Sequence, residues 1–179
     1  MEQALARVCE MARGGIIPLA ALQKLIDYYN LLVQVNRSVG PAYPDWVKEL
    51  LHPELETVGP AEFNVTELEC WLHPDQVEGV VKGNDIYQLL KRENLIKGCL
   101  GLADLLAIQK RGIAFFRKYF AEKAVFGWKS VVRDRIGNLN VPYLVVHEGK
   151  VIVNWDWLDC SWDSNDPALR FASTQDSES

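Results

Sequence analysis

The feature that most constrains the fold is a change in the spacing of apolar residues near position 123. Before this position, apolar residues recur at steps of three and four, which is typical of amphipathic helices. After it, they alternate with polar residues, which is typical of strands with one buried face. A chain whose period changes once along its length predicts a helical region followed by a sheet, and therefore an α+β fold.

The first two thirds of the chain, residues 1–122, are predicted to be helical. The strongest helix runs from Leu102 to Ala121, because seven residues share one face at the helical period: Leu102, Leu105, Leu106, Gln109, Ile113, Phe116 and Phe120. Weaker patterns predict helices over 2–13, 18–36, 45–51 and 84–94. Prolines and glycines divide residues 52–83 into short pieces, which leaves a strand and a helical turn equally open there.

Residues 123–160 predict a small antiparallel β-meander. A first alternating run covers 126–133 and places Lys129 and Arg133 on one solvent-facing side. Two further runs flank Glu148-Gly149, a two-residue loop that indicates a hairpin. Pro142 lies in the middle strand and lacks an N–H group, so we expect a bulge or one-sided pairing. A small sheet needs a cover for its apolar face, and the long amphipathic helix is the natural cover. Residues 1–172 are thus predicted to form a single domain and 173–179 a disordered tail.

Composition narrows the class of protein. The 179 residues carry a formal net charge of −5, and no apolar run approaches the ~18 residues needed to span a membrane. The first residues lack the basic-then-apolar order of a secretory signal, so we expect a cytoplasmic protein that does not engage membranes. The four cysteines are far apart and predict reduced thiols, and neither a metal nor a cofactor is expected.

The charge is unevenly distributed. Residues 110–135 contain eight basic and two acidic side chains, a net charge of +6, and the rest of the chain is correspondingly acidic. The candidate binding residues are the cations and neighbouring rings of this stretch: Lys110, Arg111, Phe115, Arg117, Lys118, Tyr119, Lys129, Arg133 and Arg135. They could engage a protein or hold phosphates, or they could be solvated or paired with the acids between Asp156 and Asp166.

Other candidates for chemistry are weaker. The sequence contains no nucleophile elbow, phosphate-binding loop, dinucleotide fingerprint or paired-histidine zinc motif. Four aspartates could offer oxygen ligands to a cation, although their spacing is typical of exposed acids: Asp156, Asp159, Asp163 and Asp166. Trp155, Trp157 and Trp162 could stack on a sugar or a base, but Trp155 and Trp157 share one face of the alternating run with Val151 and Val153, which favours the core.

Segregated charge without a catalytic motif predicts a non-enzymatic binding or regulatory module. Its partner would be another protein or a second copy of the chain, held through the charged surface. The alternative is a nucleic-acid-binding protein that uses the basic and aromatic stretch over 110–135. A third hypothesis is a hydrolase whose site, built on His73 or the aspartates, is not recognisable from sequence.

Overall fold

The computed structural model describes residues 10–11, 13–14 and 18–172, and the chain divides into two compact units. The first unit, Met1–Leu32, contains helix α1 (Leu19–Leu31), which begins directly after Pro18 as predicted. The second unit is Val33–Ser179. The predicted tail over 173–179 and most of the predicted helix over 2–13 lie outside the described residues. The single-domain assignment stays a prediction.

The second unit contains most of the strands and three further helices. Its strands, in chain order and counting one that begins at the unit boundary, are β1 (Leu32–Gln34), β2 (Val47–Leu50), β3 (Glu62–Asn64), β4 (Leu68–Trp71), β5 (Val81–Lys82), β6 (Val125–Phe126), β7 (Val132–Asp134), β8 (Leu139–His147), β9 (Lys150–Trp157), β10 (Ser161–Trp162) and β11 (Ala168–Phe171). Its helices are α2 (Gly83–Arg92), α3 (Leu102–Gln109) and α4 (Ile113–Phe120). Single 3-10 turns cover Pro53–Leu55, Val65–Glu67, Pro74–Gln76, Ile96–Gly98 and Trp128–Ser130.

A mixed, seven-stranded sheet organises this unit. The strand order is β2-β7-β8-β6-β11-β4, and β9 pairs with β8. The pairing of β6 with β11 is parallel, and the other pairings within the sheet are antiparallel. Two small two-stranded sheets, β1 with β3 and β5 with β10, lie outside it. The sheet therefore gathers strands from residue 47 to residue 171.

The predicted fold class is wrong, because the first two thirds of the chain are not a helical region followed by a small meander. Strands β2 and β4 come from the region before residue 72, and they form the two ends of the strand order. Strand β11 lies beyond the predicted meander and inserts between β6 and β4. Strands of two to four residues are too short to show a period of two, and the alternating runs identified β8 and β9 correctly. The first predicted strand, over 126–133, is wrong, because a 3-10 turn at Trp128–Ser130 separates β6 from β7 there.

The predicted long amphipathic helix is also wrong, because residues 102–121 form two helices. Helix α3 ends at Gln109 and α4 begins at Ile113. Between them Gly112 has φ of +82°, in the left-handed region that stops a right-handed helix. The gap between the two helices is about one helical turn long, so apolar residues keep the same helical spacing on both sides of the break. The sequence therefore resembles that of one continuous helix.

The hairpin predicted at Glu148-Gly149 is present between β8 and β9. Both loop residues have positive φ, 47° and 74°, as the tight hairpin turn requires. Pro142 is accommodated without losing a ladder bond. The Pro142 carbonyl accepts from the Gly127 N–H, and the N–H and C=O groups of one strand residue point to the same side. The missing N–H of Pro142 therefore faces a gap in the ladder, between the residues of β8 that pair with β7 and those that pair with β6.

Both faces of the sheet are covered. On one face Phe126 and Val141 share a core with Trp128, Trp162 and residues Ile86, Tyr87 and Leu90 of α2. On the other face Val125 and Leu144 are fully buried, and α3 and α4 lie against β8 and β9. The arrangement is a sheet between two helical layers.

His52 provides a test of the core around α2. Its Nε2 lies 2.8 Å from the Tyr87 hydroxyl, and burial lowers the pKa of His52 below its ordinary value of about 6.5, although Glu54 opposes the shift. The unfolded chain then takes up the proton first, so the stability due to neutral His52 is complete above about pH 6.5 and declines on acidification. We expect His52→Gln to lose less stability than wild type between about pH 7 and 5, measured by urea unfolding. If the free energy of unfolding changed equally with pH in both proteins, the burial of His52 would be contradicted.

Candidate functional site

The predicted binding residues separate into an exposed group and a dispersed group. The exposed group lies on the α3–α4 turn and on α4, and we call it the basic-aromatic surface: Lys110, Arg111, Phe115, Arg117, Lys118 and Tyr119. Its four cations are exposed, Tyr119 is half-buried, and Phe115 is buried beneath them. The structure therefore brings together six of the nine predicted residues.

Stacked contacts order the basic-aromatic surface. The Arg111 guanidinium lies over the Phe115 ring at 4.7 Å, and the Phe115 and Tyr119 ring centroids are 4.8 Å apart. The Lys118 ammonium lies 5.1 Å from the Tyr119 ring centroid. A spacing of four residues places Phe115 and Tyr119 on one side of α4, and Arg111 reaches the Phe115 ring from the turn before the helix. Rings that hold cations by their faces keep them oriented outward.

Lys129 does not join this surface. Its side chain is 1% exposed, and its Nζ donates to the Val58 carbonyl at 3.0 Å. Burial lowers the pKa of Lys129, and the Asp104 carboxylate opposes that shift. The alternating pattern placed Lys129 on a solvent face, but residues 128–130 form a 3-10 turn in which all three side chains are buried.

Lys129 belongs instead to a buried polar network with Arg37, Glu56, Asp104 and Ser130. The Asp104 carboxylate is fully buried, pairs with the Arg37 guanidinium and accepts from the Gly101 N–H at 2.9 Å. Arg37 also donates to the Pro60 carbonyl. Asp104 thus satisfies an N–H group at the start of α3 and holds residues 37–60 against it.

Ser130 and Glu56 complete the network. The Ser130 hydroxyl accepts from the Leu102 N–H at 2.8 Å and donates to the Glu56 carboxylate at 3.0 Å. Desolvation raises the pKa of Glu56 and that of Tyr43, whose hydroxyl lies beside it. Among the residues that the structure describes, neither the Tyr43 hydroxyl nor the second Glu56 oxygen has a hydrogen-bond partner. Because Glu56, Asp104, Lys129 and Ser130 are buried, we assign this network a structural role.

Arg133 and Arg135 also lie apart from α4, on β7 and the turn after it. The Arg133 Nε pairs with Glu49 at 2.9 Å and its Nη1 donates to the Gly137 carbonyl. Arg135 is exposed and donates to the Asp45 carbonyl at 2.6 Å. Arg133 is therefore paired within the protein, whereas Arg135 borders a cleft described below.

The acids near the C-terminus are held by local donors. Asp156 accepts from the Trp162 indole at 2.9 Å, and Asp159 accepts from the Asn84 amide at 2.6 Å. Asp163 and Asp166 accept from backbone N–H groups of their own loop. Within the described ranges, no group of three potential metal ligands forms.

A cleft lined by tryptophans lies at the end of β9, where the sequence analysis left ligand stacking on Trp155 and Trp157 as the less favoured alternative. The tryptophan cleft has a volume of about 450 Å³ and is lined by Trp46, Asp134, Arg135, Asn140, Trp155 and Trp157. Trp46 and Trp155 contact edge to face, with centroids 5.3 Å apart and planes at 89°. The Trp157 side chain is 55% exposed.

The interpretation of Trp157 as a core residue is wrong for a reason that alternation cannot show. Val151, on the same face of β9, is buried, and Gln109 of α3 donates to its carbonyl. The period of two predicts which residues share a face, but not how far along the strand the helices extend. Two tryptophans in a three-residue strand segment were the available signal.

Comparison with known proteins adds no relationship: no family model, curated protein or solved structure matches the chain. No helix among residues 18–172 is both long and apolar enough to cross a bilayer.

The buried polar network makes a stability prediction. Asp104→Ala leaves Arg37 and Lys129 without their buried carboxylate and removes the acceptor for the Gly101 N–H, so we expect a loss of about 3–5 kcal/mol in the free energy of unfolding. The matched control, Glu122→Ala, breaks the exposed Arg117–Glu122 pair at 3.6 Å and should cost under about 0.5 kcal/mol. Urea unfolding measures both. If both variants lost the same small amount of free energy of unfolding, the network would not contribute to stability.

Proposed function

We propose that the protein is a binding module that engages an acidic segment of another protein through the basic-aromatic surface. The observation that carries the proposal is the group of exposed cations on and beside α4, of which Lys118 lies over the Tyr119 ring. Within residues 18–172, Lys110 and Lys118 form no ion pair. Arg117 pairs only with Glu122 there, and both of these side chains are more than half exposed.

The engagement of the C-terminal acids supports the same proposal. If Asp156, Asp159, Asp163 and Asp166 paired with the cations of α4, the surface would be neutralised from within. They accept hydrogen bonds from an indole, an amide and their own loop instead. Lys110, Arg117 and Lys118 thus retain the capacity to attract carboxylates from a partner.

A protein partner is favoured over nucleic acid by the extent of the surface. Duplex binders neutralise many phosphates and carry a strongly basic domain. Here Lys129 and Arg133 are committed inside the protein, and the whole chain is acidic at −5. Four exposed cations with one accessible ring are suited to a short acidic segment.

The test uses a fluorescein-labelled peptide of about twelve residues rich in Glu and Asp, with fluorescence anisotropy at low salt. Wild type should bind it with an affinity that falls as salt rises, because exposed charges are screened. Arg117→Glu with Lys118→Glu should weaken binding by at least about tenfold, since attraction becomes repulsion.

The control replaces two exposed lysines outside the surface, Lys48→Glu with Lys82→Glu, which changes the net charge equally. It should alter binding by less than about twofold if the effect is local and screened. Equal losses in both double variants, or no binding by wild type, would contradict the proposal. Tighter binding of a DNA duplex of the same length than of the peptide would support the nucleic-acid alternative instead.

A further inference from the structure

We infer that the tryptophan cleft is a binding site for a neutral carbohydrate. It lies on β7, β8 and β9, separate from the basic-aromatic surface on α4, and the inference does not depend on the proposed function. A volume of about 450 Å³ is within the usual range of small-ligand sites. The cleft combines flat aromatic surface with polar groups at its floor and rim.

The aromatic rings favour a ligand that rests on a single face. Trp46 and Trp155 are perpendicular, at 89°, so these two rings cannot form the parallel slot that sandwiches a planar base. Trp157, which also lines the cleft, is more than half exposed and so leaves much of its indole surface accessible to a ligand. The face of an aromatic ring is electron-rich and attracts the weakly positive C–H groups on one side of a sugar ring.

The polar groups can bind hydroxyls. Asn140, 3% exposed, forms part of the lining, and its Nδ2 donates to the Asn138 carbonyl. Within the described residues no donor pairs with its Oδ1, which leaves a carbonyl acceptor for a hydroxyl proton. The Arg135 guanidinium at the rim has five N–H donors, and it uses one of its nitrogens to donate to the Asp45 carbonyl.

Charge balance argues for a neutral ligand. Asp134 and Arg135 are the charged side chains that line the cleft, and they cancel. A phosphate would meet one arginine beside a carboxylate. A quaternary ammonium would meet the same arginine, which repels it. A neutral molecule with many hydroxyls can use donors and acceptors together. Because it carries no charge, its binding avoids the large free-energy cost of removing a charged ligand group from water.

Isothermal titration calorimetry of the full chain against cellohexaose, maltohexaose and N-acetylchitohexaose tests this inference. We expect at least one to bind, and Trp157→Ala to weaken that binding by at least about tenfold, because the stacking face is removed. Trp157→Phe, which keeps a smaller ring, should retain part of the affinity. Because Trp157 is mostly exposed, these variants should fold, and circular dichroism checks that they do.

Val80→Ala is the matched control: it removes an exposed apolar side chain outside the cleft and should leave binding unchanged. Arg117→Glu with Lys118→Glu should also bind the sugar like wild type, which separates this site from the proposed function. Failure of wild type to bind any of the three sugars would overturn the inference. So would equal affinity of Trp157→Ala and wild type, or Trp157-dependent binding of AMP or choline in place of the sugars.

Discussion

The buried ion pair between Arg37 and Asp104 is the constraint on which the arrangement of the second unit depends. A buried carboxylate is tolerated only where donors surround it, and here Arg37 and the N–H group of Gly101, directly before α3, supply them. Ser130 and Glu56 extend the same network to the turn before β7. One set of polar contacts therefore joins three segments that are distant in sequence.

This network also determines where the two candidate sites lie. It holds residues 37–60, which contain little regular structure, close to the start of α3. Tyr43 and Trp46 belong to this segment, and both contact Trp155, at centroid distances of 6.0 and 5.3 Å. The tryptophan cleft thus depends on a tethered loop, whereas the basic-aromatic surface depends only on α4 and the turn before it. The two sites can be disrupted independently.

Local structure was predictable where the sequence pattern that indicates it spans only a few neighbouring residues. The hairpin at Glu148-Gly149 follows from a two-residue loop between alternating runs, and the proximity of Phe115 and Tyr119 follows from their spacing of four on α4. The break at Gly112 was missed because a turn of about one helical period preserves the apolar phase. The strands β2, β4 and β11 are too short to show alternation, and their pairing is a long-range property.

The site residues that were misassigned share one physical cause, which is that burial depends on what covers a strand. Lys129 occupies a position that alternation assigns to solvent, yet the loop at Val58 closes over it. Trp157 occupies a position that alternation assigns to the core, yet the cover over β9 ends before it. Period determines the face of a residue, and tertiary contacts between distant segments determine its exposure.

Hydrogen exchange of single backbone amides tests the tethering role of the network most directly. In Asp104→Asn, the amides of Val47 and Val58, both bonded within the tethered segment, should exchange at least about tenfold faster than in wild type, because loss of the ion pair lets the segment open locally. The amide of Leu144, in the central strand, should keep its protection. Unchanged exchange at Val47 and Val58, or equal acceleration at Leu144, would contradict the account.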